Sequence, residues 1–110
     1  MSFIKEIEVT ELAQLKEKGE SVRVIDIRQP AELNAGMIPG AEALPMHLIP
    51  VRMNELKQDE TLIMVCRSGA RSAQACMFLE QQGFEKVYNL RGGMMAWAGT
   101  GLEIGLPQAV

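Results

Sequence analysis

Apolar positions along the chain follow two rhythms that take turns. "IKEIEV" (4–9) alternates apolar and charged residues, which predicts a short strand. "TELAQLKEKG" (10–19) then places Leu12 and Leu15 on one helical face, with Thr10 as the expected N-cap and Gly19 just past the end. "VRVID" (22–26) is β-branched and mostly apolar, the pattern of a buried strand. "QPAELNAG" (29–36) reads as a short helix with Pro30 at its first position and Gly36 as its stop. A turn and a short strand around Ala43 and Leu44 follow, then a helix over 47–56 that tolerates Pro50 only in its first turn. "TLIMV" (61–65) is continuously apolar, as expected of a strand covered on both faces. A helix to Gly83, a last strand in "KVYNL" (86–90) and a short helix in "GGMMAWAG" (92–99) complete the series.

Five strands alternating with helices predict an α/β fold: a mostly parallel five-stranded sheet with helices on both faces. The 110 residues suffice for one domain around one core, expected over about 5–98. The tail "GTGLEIGLPQAV" (99–110) is expected either to wrap over the surface or to fray. In such folds the ligand crevice lies outside the carboxyl ends of the strands. Cys66 directly follows "TLIMV" and so falls at that end.

Charge and composition narrow the function. A net charge of −3 offers no general attraction to nucleic acid or an anionic membrane, so any anion site must be a local patch. The start, "MSFIKEIEVTE", lacks a signal-peptide core, and no apolar run is long enough to span a bilayer; a cytosolic protein is expected. Two cysteines and one histidine, His47, are too few for a structural zinc site, and no disulfide framework is expected. His47 reads as a solvated residue near a helix start.

The stretch "VCRSGARS" (65–72) concentrates the candidate chemistry. A free cysteine is by base rate a small buried hydrophobe. Here, however, "CRSGAR" is expected to link the strand end to a helix from Ser72 onward. Ser68, Gly69 and Ala70 let the backbone curl, so that amides and a helix N-terminus point at one centre. Arg67 and Arg71 add two cations. A thiol in that cradle is acidified and becomes a nucleophile without a histidine base. Cys76 lies in phase with Ala73 and Leu79, which is core spacing, so it reads as a buried structural cysteine. A disulfide with Cys66 would need helix unwinding.

These segments also resemble a known family. "VIDIRQPAELNAGMIPGA", "CRSGARS" and "LRGGMMAW" stand in the order and spacing of a rhodanese domain, from about Val22 to Trp97. The resemblance implies thiosulfate sulfurtransferase activity with Cys66 as the catalytic residue. Arg67, Ser68, Gly69, Ala70, Arg71 and Ser72 would form the substrate-binding loop. It implies a covalent Cys66 persulfide and no cofactor or metal. Sulfane sulfur would pass from thiosulfate to a thiophilic acceptor such as cyanide or a thiol, in two half-reactions. The two arginines would attract the dianionic donor. Met37 departs from the pattern, since many rhodaneses carry histidine there; the departure puts a local contact in doubt more than the chemistry.

Two rival readings stand beside this one. A carrier would hand its sulfur to a partner protein. A phosphatase or arsenate reductase of the same fold would have one more residue in its loop; four residues separate Cys66 from Arg71, which suits a single sulfur atom. Asp26 and Arg28 read as structural, with Arg28 expected to pair with Glu32 four residues on. Trp97 is expected in the core. Arg91 reads either as part of the positive rim of the site or as a solvated surface residue.

Overall fold

The central strand of the fold is the apolar run that precedes Cys66. A computed structural model of the chain describes residues 4–107. Its strands are β1 (Glu6–Ile7), β2 (Val22–Asp26), β3 (Glu42–Ala43), β4 (Thr61–Val65) and β5 (Val87–Leu90). They form one sheet in the order β1-β5-β4-β2-β3, and every neighbouring pair is parallel. β2 and β4 run together from Val22 opposite Thr61 to Asp26 opposite Val65.

Two buried layers cover the sheet, as the period of two in β4 requires. Leu62, Met64 and Cys66 face Ile25, Ile27 and helix α4 (Ala70–Gln81), which contributes Ala75, Cys76 and Leu79. Ile63 and Val65 face the opposite layer, with Leu12 of helix α1 (Val9–Glu17) and Met94 and Trp97 of helix α5 (Gly93–Gly99). The expected core positions of Trp97 and Cys76 are therefore occupied. Among the described residues no helix is long and apolar enough to cross a membrane.

Several expected boundaries move. The first strand is two residues long because α1 begins at Val9; its cap is Glu8 rather than Thr10, with the Glu11 carboxylate accepting the Glu8 N–H at 3.1 Å. Helix α2 (Pro30–Leu33) starts on Pro30 as expected, and Gln29 N–H donates to Glu32 at 3.0 Å. The helix expected over 47–56 is one α-turn, α3 (Ile49–Arg52), between two 3-10 turns at Met46–Leu48 and Met53–Glu55. Pro50 has no N–H to donate and its ring excludes the carbonyl four residues back, so the α-turn cannot extend toward Met46.

The tail wraps instead of fraying, as far as it is described. Trp97 Nε1–H donates to Glu103 O at 2.8 Å, and Met37 and Gly105 exchange both backbone hydrogen bonds at 2.8 Å. Met37 is buried beneath this bridge.

Asp26 and Arg28 form a buried pair at the carboxyl end of β2. Arg28 Nε donates to Asp26 Oδ1 at 2.9 Å and Nη2 to Oδ2 at 2.8 Å, while Nη2 also reaches Gly36 O at 2.7 Å. The expected Arg28–Glu32 ion pair does not form, because Asp26 holds the guanidinium and only the Glu32 backbone carbonyl receives it. Removing one partner leaves a buried charge uncompensated, at a cost of about 3–5 kcal/mol. Asp26→Ala is therefore expected to lower the thermal midpoint by more than about 10 °C, followed by circular dichroism. A shift of a degree or two would mean that Arg28 had found Glu32 instead.

Candidate functional site

Cys66 is the first residue beyond β4, and the chain turns over its sulfur within three residues. Gly69 ends the turn with φ of +100°, a left-handed conformation that glycine adopts without a Cβ clash, and serves as the N-cap of α4. The helix thus begins at Ala70, two residues before the expected start. Ala70 and Arg71 lie in its first turn, and Ser72 faces inward.

The sulfur sits among donors. Gly69 N–H lies 3.1 Å from Cys66 Sγ and the Ser72 hydroxyl 3.3 Å from it. Cys66 is only 1% exposed. It therefore packs in the core layer against α4 and also lies at the centre of the loop. Burial is the largest influence on the thiol and raises its pKa. Hydrogen bonds from the Ser72 hydroxyl and the Ser72, Gly69 and Ser68 amides outweigh it and hold the thiol below its ordinary value. Cys76 shows the contrast: burial, with minor help from nearby negative groups, pushes its thiol up to about 12. Both cysteines are free.

Helix α5 holds the loop's carbonyls away from the sulfur. Met94 N–H donates to Cys66 O and Met95 N–H to Arg67 O, each at 2.9 Å. This approach needs glycine at position 93, since a Cβ there would lie 2.4 Å from Cys66 O and 2.7 Å from the carbonyl carbon and oxygen of Arg67. With its carbonyls tied back, the loop presents amides to the centre.

The two arginines differ. Arg71 forms a double hydrogen bond with Glu32, at 2.9 Å to each carboxylate oxygen, so its charge is paired with a carboxylate. Its guanidinium, together with the Gln29 amide, holds the Glu32 carboxyl at about 2. Any stability from this pair is fully present above the ordinary glutamate pKa and is lost as pH falls toward 2. Arg67 is exposed and has no ion-pair partner among the described residues. It lines a cleft of about 400 Å³ whose apolar wall comes from Met94, Met95, Ala98 and the tail residue Ile104. Arg91 is not part of that cleft; it pairs with Glu8 at 3.3 Å on the exposed surface. His47 is exposed.

Two contributors carried weak signals in the sequence and a third carried none. Asn89 is a polar residue inside the apolar strand β5, and it accepts from Ser72 and donates to Gly69 O. Gly93 was visible only as part of a repeated glycine. The pairing of Glu32 with Arg71, 39 residues apart, had no local signal.

A parallel α/β sheet with a cysteine loop capping a helix at its carboxyl edge defines the class of fold. The chain belongs to the rhodanese family: residues 8–100 match the model of the rhodanese-like domain. It is 52% identical over 106 residues to a sulfurtransferase of Allochromatium vinosum, covering 96% of this chain and 99% of the relative. It is 42% identical over 97 residues to the thiosulfate sulfurtransferase GlpE of Pseudoalteromonas translucida, covering 88% and 90%. The crystal structure of a rhodanese-like domain protein from Staphylococcus aureus superposes with a TM-score of 0.85 at 33% identity, over 96% of this chain and all of that one.

Proposed function

We propose that this protein is a sulfurtransferase that takes sulfane sulfur from thiosulfate and carries it as a persulfide on Cys66. The observation that carries the proposal is the Cys66 sulfur, buried yet ringed by donors that favour its thiolate. The thiolate attacks the outer sulfur of thiosulfate. A new S–S bond forms, the bond to the sulfonate sulfur breaks, and sulfite leaves with the electron pair. Charge is conserved: a thiolate and a dianion give a persulfide monoanion and a dianion. Cyanide or a thiolate then takes the outer sulfur and restores Cys66. No step of this cycle calls for a cofactor or metal.

Arg67, exposed beside the cleft, attracts the dianionic donor, while Arg71 shapes the loop through Glu32. The loop is short, with four residues between Cys66 and Arg71, which suits one added sulfur better than a phosphate. The cleft's volume and apolar wall admit an acceptor larger than cyanide, so a thiol, free or borne by a partner protein, is the acceptor class we favour. We place the activity in a reducing cytoplasm, where Cys66 stays a free thiol.

Intact-mass measurement after exposure to thiosulfate tests this directly. The wild type and Cys76→Ala are expected to gain the mass of one sulfur atom, released again by cyanide, and Cys66→Ala to gain nothing. No gain in the wild type, or a gain that follows Cys76, would refute the assignment. Comparing rates of release to cyanide, small thiols and candidate proteins separates an enzyme acting on small molecules from a carrier.

A further inference from the structure

The Ser72 hydroxyl has two acceptors and one hydrogen. Its oxygen lies 3.3 Å from Cys66 Sγ and 2.5 Å from Asn89 Oδ1. Ser72 and Asn89 are both buried. The orientation of the Asn89 amide is set by its other contacts: Nδ2 donates to Gly69 O at 3.1 Å and to Glu6 Oε2 at 3.2 Å, both of which can only accept. Oδ1 must therefore face Ser72.

Each protonation state of Cys66 places that hydrogen differently. With a neutral thiol, S–H can donate to Ser72 Oγ while the hydroxyl donates to Asn89, and every polar hydrogen is used. With a thiolate, the sulfur needs donors. Ser72 can then serve it only by turning away from Asn89, leaving a buried oxygen unpaired. We propose that Asn89 is a positioning residue that competes with the Cys66 thiolate for the Ser72 proton and so keeps the sulfur less acidic than its loop alone would make it. This inference rests on the reading of Cys66 as the sulfur-carrying nucleophile, and it gives that sulfur a useful property. Thiolate nucleophilicity falls as the thiol becomes more acidic, and the most effective attacking thiol has a pKa near the ambient pH. Once the persulfide forms, the charge moves to the outer sulfur and the hydroxyl can return to Asn89.

The other charged or titratable groups around Cys66 are Arg67 in the loop, Arg71 and Cys76 on α4, Asp26 at the end of β2, Arg28 just beyond it, Glu32 on α2 and Glu6 on β1; α5 contributes none. Neither Ser72→Ala nor Asn89→Leu removes any of them.

Thiolate absorbance in the far ultraviolet, followed against pH, tests the competition without any sulfur donor. Ser72→Ala is expected to raise the Cys66 midpoint by about one pH unit, through loss of a donor. Asn89→Leu, which fills the space and offers no acceptor, is expected to lower it by about half a unit to one unit. In the double variant the midpoint should coincide with that of Ser72→Ala. An unchanged or raised midpoint in Asn89→Leu would overturn the inference. So would a lowering that persists without the Ser72 hydroxyl, since Asn89 would then act through Gly69 or Glu6 instead. Should Asn89→Leu not fold, Asn89→Ala provides the same titration, with the same lowering expected and the same two outcomes overturning the inference. A protein that shows these shifts but gains no sulfur from thiosulfate would refute the proposed function and leave this inference standing.

Discussion

Cys66→Ser is expected to lose sulfur transfer from thiosulfate to cyanide by at least about 10³-fold, measured as thiocyanate formed. A serine hydroxyl stays protonated at neutral pH and cannot hold a sulfane sulfur. Its fold should persist, because the new hydroxyl faces the Gly69 amide and Ser72, both of which now contact the sulfur. A variant that keeps a tenth of the wild-type rate would show that another group carries the sulfur. In the wild type, the first half-reaction should accelerate as pH rises through the depressed Cys66 pKa and then level off. Stability follows the same group. A thiol whose folded pKa lies below its unfolded value contributes stability that is fully present above the unfolded value and is lost as pH falls through the folded one. The stability of wild type relative to Cys66→Ser should therefore grow from acid to alkaline pH, a trend that denaturant unfolding can follow.

Gly93→Ala is expected to damage both the fold and the site. The added methyl would sit 2.4 Å from Cys66 O and 2.7 Å from the Arg67 carbonyl, and neither backbone group can swing aside as a side-chain end could. Position 93 also has φ of +55°, where an L-residue pays about 1–2 kcal/mol. Overpacking adds about 1–3 kcal/mol. Together these predict a midpoint about 10 °C or more lower. Moving α5 outward would also release the Cys66 and Arg67 carbonyls from the Met94 and Met95 amides, so sulfur transfer should fall even where the protein is still folded. Gly99→Ala, in the same helix with nothing within 4 Å of the new methyl and no positive φ, is the control and should be neutral or stabilising by up to about 1 kcal/mol. If the two variants melt together, the close approach at Gly93 is not what holds the loop.

The elements were legible where periodicity was long and unambiguous. "TLIMV" is β4 to the residue, and Pro30 starts α2, because a buried strand and a helix-starting proline each leave a local mark. Boundaries were less legible where a cap or turn is chosen by a few hydrogen bonds. Glu8 displaced Thr10, and Gly69 brought α4 forward to Ala70. The first choice depends on a carboxylate reaching back to an amide, the second on the left-handed turn at Gly69, and composition encodes neither.

For the site, the sequence by itself determined the chemistry available: a cysteine at the carboxyl end of a buried strand, small residues to turn the chain over it, two arginines nearby and a second cysteine at core spacing. These are local properties, written in neighbouring residues. The tertiary structure decided how the chemistry is used. It paired Arg71 with Glu32, left Arg67 without an ion-pair partner among the described residues, bound Arg28 to Asp26 and brought the amides of α5 onto the loop's carbonyls. It also set Asn89 and Cys66 on either side of one serine hydroxyl. Apart from the local Asp26–Arg28 pair, those partners come from strands and helices distant in the chain. Only the parallel stacking of the sheet gathers their ends at one edge, and so the balance of charge and protons around Cys66 is a property of the fold.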